Sequence, residues 1–218
     1  MLYSIDAIRA MVRKSLDENE VSTALIAQNA DTDTLSLNDI IEQKIEQAAR
    51  LVQEMAPRKL LDEGVSFADT SIKWDGEPGY GSGYIPLPDD YQRLCTFRMS
   101  DWHRPVNDAI AEGDAAYAIQ SSRYKGVRGG PWKPVCAVAT RYSGRVLEFY
   151  SCDSGEDAHV AFARYYPYPS IKNGQIRICK NLVYPTVEYA AGLASIAIGE
   201  ETHGTALISN AAKYLKAE

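Results

Sequence analysis

Side chains of the types that catalysis uses occur together once in this sequence, where Cys95, Asp101 and His103 offer a thiol, a carboxylate and an imidazole within one short stretch. Such a set could supply a nucleophile, its base and an orienting group. The local pattern argues against it. Cys95, Phe97 and Met99 alternate with Thr96, Arg98 and Ser100, the period of a half-buried strand, which predicts Cys95 in the apolar phase. There a thiol behaves as a small hydrophobe without a depressed pKa. Asp89 and Asp90 follow Pro88, and their adjacency predicts caps on a short helical turn holding Tyr91 and Leu94, not an acid and a base facing a substrate.

Metal and cofactor chemistry have no better foothold. Cys95, Cys136, Cys152 and Cys179 show no C-x-x-C spacing, and His103, His159 and His203 are scattered, so four buried, reduced thiols are expected and no metal. Gly79 and Gly81 form G-x-G, but Gly83 follows too soon for the dinucleotide fingerprint and no helix pattern comes after it. G-x-S-x-G, H-E-x-x-H and a phosphate-binding loop are all missing. The expectation is a protein that is not an enzyme and carries no cofactor.

Binding features are more evident. Arg123, Lys125, Arg128 and Lys133 are interleaved with Tyr124, Trp132 and several glycines, the composition of a flexible arm that contacts phosphate or an acidic partner. This basic loop stands out because the chain carries a net charge of −6, which argues against a general affinity for nucleic acid. Fourteen tyrosines against four phenylalanines favour surfaces where a ring is buried and its hydroxyl stays wet, as at interfaces. Trp74, Tyr80, Tyr84 and Trp132, all on predicted loops or strand ends, admit a second reading as stacking residues of a ligand- or carbohydrate-binding module.

The elements that would position these residues follow from periodicity. Ser4 is placed as an N-cap, with Ile5, Ile8, Met11, Val12 and Leu16 forming the stripe of a first helix. Ser36 and Asp39 resemble a capping box before a longer helix whose stripe runs through Ile41, Ile45, Ala48, Leu51, Val52 and Met55 to a stop at Pro57. Between Asp75 and Gly83 the glycines and Pro78 demand a loop. A turn and a short helix are predicted between Asp108 and Tyr117. From Pro134 the chain reads as a three-stranded antiparallel meander over 135–141, 146–152 and 159–168, and Asn173-Gly174 predicts one more tight turn. Two helices close the chain. The first is rich in small residues, Ala190, Ala191, Gly192 and Ala194, so another helix or subunit could approach it closely.

The fold class expected is therefore α+β. It has an N-terminal helical pair over 1–63, a central antiparallel β region over 64–180 and C-terminal helices over 181–218, together one composite domain. No apolar run approaches the roughly 20 residues that span a bilayer, so a cytoplasmic location without membrane contact is expected.

This order of elements, and the segment Leu87-Pro88-Asp89-Asp90-Tyr91-Gln92-Arg93-Leu94 of the form L-P-x-D-Y-x-R-L, resemble the head-tail connector, or adaptor, proteins of tailed bacteriophages and prophages. Tyr166-Pro167-Tyr168-Pro169 and Tyr189-Ala190-Ala191-Gly192 extend the likeness. The β region is larger than in many such proteins. The resemblance implies a structural subunit made in the host cytoplasm and assembled into the virion. Its copies would form a ring, a dodecamer by likeness, between portal protein and tail components, with DNA passing through unread. Interface residues on this reading are Tyr80, Leu87, Pro88, Asp90, Tyr91, Arg93, Arg123, Lys125, Arg128, Trp132 and Gly192.

Overall fold

The computed structural model describes residues 1–17, 37–68, 70–76, 81–122, 124–128, 130–153 and 157–216, with Lys125 described by its backbone alone. Strand β1 (Leu2–Ser4) leads into helices α1 (Ile5–Ser15) and α2 (Leu37–Met55), and a 3-10 turn follows at Arg58–Leu60. Strands β2 (Val65–Ser66), β3 (Lys73–Trp74), β4 (Gly83–Pro86), β5 (Tyr91–Met99) and β6 (Ile110–Ala111) precede short helices α3 (Ala115–Gln120) and α4 (Lys125–Arg128). Then come β7 (Cys136–Arg141), β8 (Gly144–Phe149), β9 (Val160–Pro167), β10 (Ile171–Lys172) and β11 (Gln175–Arg177), and finally α5 (Val183–Ala197) and α6 (Glu201–Lys216). The protein is α+β, helical at both ends.

Two compact units divide the chain: Met1–Asp62 with Pro169–Glu218, and Glu63–Tyr168. The 169–180 stretch, placed by pattern with the β region, thus belongs with the helices.

In the helical unit, Ile5, Ile8, Val12 and Leu16 of the first helical stretch meet Ile41, Ile45, Ala48 and Val52 of α2 in one apolar cluster that also holds Ile176 and Leu182. Met11 and Met55, assigned to the stripes by spacing, are instead 43% and 48% exposed. Ser4 does occupy the N-cap position, but its side chain makes no capping bond. The Ile5 amide donates to the Gly174 carbonyl at 2.9 Å, so the β10–β11 hairpin closes the helix start. That hairpin turns at Asn173 and Gly174, whose φ values of 52° and 71° suit a primed turn, and β11 pairs with β1 in antiparallel register. The expected capping box at Ser36 lies outside the described residues.

Helix α5 is buried on most of its surface and packs against α1, α2 and α6. Its small residues let α6 in. A Cβ on Gly192 would stand 2.7 Å from the Gly204 carbonyl oxygen, and one on Gly204 would stand 2.6 Å from the Gly192 carbonyl oxygen. The close partner of Gly192 is therefore a helix of the same chain. Gly192 is buried beneath α6 and is not an exposed contact for another subunit, which corrects its assignment to an interface. Gly192→Val is expected to destabilise this unit by about 1–3 kcal/mol or more, because backbone and not a mobile side chain blocks the space. Gly126→Ala, which meets nothing within 4 Å, should change stability little. Urea unfolding followed by far-UV circular dichroism compares the two, and equal midpoints would contradict the close crossing.

The second unit holds two sheets, of order β2-β9-β5 and β3-β4-β8-β7-β6. Phe97 of β5 stacks on Phe149 of β8 at 6.1 Å, so side chains of both sheets share one core, with Leu94, Met99, Ile85, Leu147 and Trp102 around them. The β7–β8 hairpin forms as its pattern predicts, but the third strand does not continue it. β9 pairs with β2 and β5 in the other sheet. The chain is diverted directly after β8. The Cys152 amide donates to the Gly81 carbonyl at 3.0 Å, and Gly81, at φ 69°, has no room for a side chain against the Cys152 carbonyl. One pairing is parallel, β6 on β7, where only a turn and a helix were expected.

The Asp89-Asp90 helical turn is replaced by a tight turn in which the Tyr91 amide donates to the Pro88 carbonyl at 3.0 Å, and β5 starts at Tyr91 itself. Register shifts along the β5–β9 pair move the alternation out of phase, so that Leu94, Phe97 and Met99 point inward while Cys95 is only half-buried. The other three thiols are free and buried.

Candidate interaction surface

The L-P-x-D-Y-x-R-L residues form the corner where β4 passes into β5. Asp90 Oδ1 accepts from the Tyr165 hydroxyl at 2.7 Å, and its carbonyl accepts from the Tyr168 amide at 2.7 Å. Tyr91 stacks on Tyr165 at 5.8 Å with the Arg145 guanidinium over its ring, and Arg145 Nη1 donates to the Tyr91 carbonyl at 3.2 Å. Burial raises the Tyr91 hydroxyl pKa, partly offset by Arg145, so this ring stays neutral in the fold. Leu87 and Tyr91 are buried, and Pro88, Asp90 and Arg93 are half-buried. The motif thus locks a corner, and Leu87 and Tyr91, placed at an interface by resemblance, are core residues.

A second polar construction holds the segment from α3 to Trp132. Asp114 caps α3 by accepting from the Ala116 amide at 2.8 Å. From α3, Tyr117 donates to Glu148 Oε2 at 2.8 Å, and Tyr150 also donates to that oxygen. Glu148 is 3% exposed. Its Oε1 accepts from Arg141 Nε at 2.5 Å, while Arg141 Nη1 and Nη2 grip Asp75 at 2.6 and 2.8 Å and the guanidinium lies 4.1 Å from the Tyr84 ring centre. The paired carboxylates raise the Arg141 pKa, Asp75 most. Burial, then the bond to Glu148, raises the pKa of Tyr150 and Tyr117. A carboxylate in the core is tolerable because both oxygens of Glu148 accept hydrogen bonds, one of them from a guanidinium.

Beyond that anchor, large apolar side chains are exposed. Ile119, Tyr124, Val127 and Trp132 are 53%, 66%, 51% and 72% exposed, four large side chains within one short segment. Trp132 is not loose: its ring stacks on His103 at 3.7 Å, and the His103 amide donates to the Pro131 carbonyl at 3.1 Å. Of the basic arm expected here, Lys133 is exposed and Arg128 is not. Arg128 is 2% exposed and its Nη1 donates to the Ser122 carbonyl at 3.2 Å, so it holds the loop from inside and cannot meet a phosphate. Tyr80 and Arg123 lie outside the described residues, as does the side chain of Lys125.

The candidate nucleophile does not assemble. Cys95 Sγ donates to the Glu63 carbonyl at 3.5 Å, Asp101 Oδ2 accepts from the Asp153 amide at 2.7 Å, and His103 faces Trp132. Among the buried thiols, burial raises the pKa of Cys136 and of Cys152, the latter also through the Asp101 charge, so neither is a thiolate near neutral pH. Among the described residues no cluster of His, Cys, Asp and Glu could hold a metal ion, and no helix is long and apolar enough to cross a membrane. Of the three of these aromatic residues that are described, Trp74 packs edge-on to Phe149 at 5.4 Å and Tyr84 lies under Arg141. Trp132, with His103 on one face, is the most exposed of the three.

Glu148 and its partners had a faint signal in the sequence, a lone carboxylate inside the apolar run Val146-Leu147-Glu148-Phe149-Tyr150. Comparison with protein-family models gives no match for the chain, and comparison with curated protein sequences gives none either.

Proposed function

We propose that this protein is a structural connector subunit of a tailed phage or prophage, joining a portal to tail components as one copy in a ring and catalysing nothing. The observation that carries the docking role is the exposed set Ile119, Tyr124, Val127 and Trp132, fastened to a sheet by the Tyr117–Glu148 bond and the buried Arg128. Exposed large apolar residues on a firmly anchored segment are what a protein partner buries, with Trp and Tyr as anchors. The phage assignment itself rests on the L-P-x-D-Y-x-R-L resemblance, and the structure gives that segment a physical task as a corner lock. DNA would pass such a ring unread, in keeping with the net charge of −6.

Trp132→Ala with Ile119→Ser is expected to weaken binding to the portal protein of the phage or prophage that encodes this chain by about thirtyfold while leaving urea unfolding unchanged. Surface plasmon resonance against that portal reads the effect. Unchanged portal affinity would remove this surface from the connector role. Glycan-array binding that depended on Trp132 would favour the ligand- or carbohydrate-binding reading in its place.

A further inference from the structure

A groove of about 550 Å³ runs between two packed helices of the helical unit, with Met11, Lys14 and Ser15 of α1 on one side and Val183, Tyr184 and Val187 of α5 on the other. Its floor is apolar. Met11 and Tyr184 are 43% and 52% exposed, and Tyr184 leans on Tyr214 of α6 at 5.0 Å, itself 49% exposed, so the apolar surface continues past the groove. Lys14 and Lys180 are exposed lining residues, and among the described residues neither has an ion-pair partner. One carboxylate is close by: Glu188 is 7% exposed and accepts from Ser15 Oγ at 3.0 Å. That charge is buried while two ammonium groups reach the surface, and Asp17, past the end of α1, does not line the groove, so the opening is positive.

We infer that this groove receives an amphipathic helix of a partner protein, with carboxylates flanking its apolar stripe. The inference stands apart from the phage reading and adds a contact on the helical unit to the one at Trp132. The lining fixes the kind of occupant. Both walls are helices, whose backbone groups are bonded within themselves, so an extended peptide would find no strand edge to pair with, whereas a helix arrives with its own bonds satisfied and packs side chains into the furrow. Met11 lets the floor adapt to what it meets, and Tyr184 and Tyr214 offer broad rings that keep a polar end in water. Lysine suits such a rim, since its apolar stem can lie along the floor while the ammonium group stays wet. Carboxylates on the incoming helix meet those groups, and a basic helix is repelled. A lipid surface is disfavoured because the chain carries −6 overall and anionic headgroups repel it, and nucleic acid has no use for an apolar floor.

Methyl NMR and calorimetry on the whole chain test it. The probe is a helical peptide with leucine at alternating third and fourth positions and glutamate on both flanks, and its counterpart carries lysine in place of glutamate. Of the four methionines, Met11 lines the groove while Met55 and Met99 do not, so the acidic peptide should shift the Met11 methyl resonance and leave those two in place. The basic peptide should bind about tenfold more weakly or worse. Lys14→Glu/Lys180→Glu should reverse that order, which a misfolded variant could not do, and Trp132→Ala/Ile119→Ser should leave it unchanged. Tyr184→Ala, at an exposed position, should weaken binding without moving the urea midpoint. Equal affinity of the unaltered protein for the two peptides, or an unmoved Met11 resonance, overturns the proposal. So does a Met11 shift produced by phosphatidylglycerol vesicles or by dodecanoate but not by the acidic peptide, which would put a membrane or a small amphiphile in place of the helix.

Discussion

Arg141→Met should lower the unfolding free energy of the Glu63–Tyr168 unit by about 3–5 kcal/mol, because it strands a carboxylate that the fold has already taken out of water. Glu148 would keep the Tyr117 and Tyr150 hydroxyls but lose the guanidinium that balances its charge, while Asp75 would lose both of its bonds to that group. Deleting the charge as well should repair much of this loss: Arg141→Met/Glu148→Gln is expected to be more stable than the sum of the two single changes predicts, since no ion is then left buried. Urea unfolding of the four proteins in a double-mutant cycle measures the coupling. A deficit below about 1 kcal/mol, or strict additivity, would mean that the pair behaves like an exposed one. Loosening of α3 should accompany the loss, because Tyr117 ties that helix to Glu148, and with it the segment that presents Ile119 and Trp132.

The helices were legible because their signal is local. Ile5, Ile8 and Val12, or Ile41, Ile45 and Val52, repeat at the period of a helix, and Asn173-Gly174 names its own turn. The hairpin of β7 and β8 was legible for the same reason. The partner of β9 was not, because nothing within 160–167 says which sheet it joins; its partners β2 and β5 lie far back in the sequence, as does Gly81, whose carbonyl meets the Cys152 amide where the chain leaves β8. Likewise the period of two misplaced Cys95, since register shifts between β5 and β9 are set by the pair and not by either strand. Gly192 could be read as a site of close approach but not as facing Gly204, which the chain reaches only after turning back on itself.

The anchor of the interaction surface was almost invisible. Asp75, Tyr117, Arg141 and the pair Glu148 and Tyr150 come from four places in the chain, and each reads by itself as ordinary loop, helix or strand. Composition marked the loop near Trp132 as a binding element but could not show that Arg128 is buried, because a basic residue in a glycine-rich segment is ordinarily solvated. Arg128 is instead spent inside the loop, and apolar side chains are left outside.

Alkaline pH should unfold the Glu63–Tyr168 unit well before any backbone chemistry does, because four of its groups are held neutral by burial. Burial raises the pKa of the Cys136 thiol, with Cys152 adding to it, and burial with the Asp101 charge raises that of Cys152. Tyr150, through burial and Glu148, and Tyr91, through burial, are raised as well. In the unfolded chain a thiol loses its proton near pH 8.5 and a tyrosine near pH 10, as is usual for these groups. Above those values the native state binds more protons than the unfolded state, so stability is fully present below the unfolded pKa and falls as pH rises toward the folded one. Each group contributes a slope of about −1.4 kcal/mol per pH unit. The two thiols together should therefore cost about 3 kcal/mol between roughly pH 9 and pH 10, with the tyrosines steepening the fall above that. Cys136→Ala lowers stability at neutral pH by opening a small cavity, but it should flatten the slope by about 1.4 kcal/mol per pH unit, and that change of slope separates titration from packing. Urea unfolding at a series of pH values, with tyrosinate absorbance followed in parallel, makes the measurement. Stability that stays level from about pH 8 to pH 10 would show that these thiols and hydroxyls reach water in the folded protein, contrary to their burial.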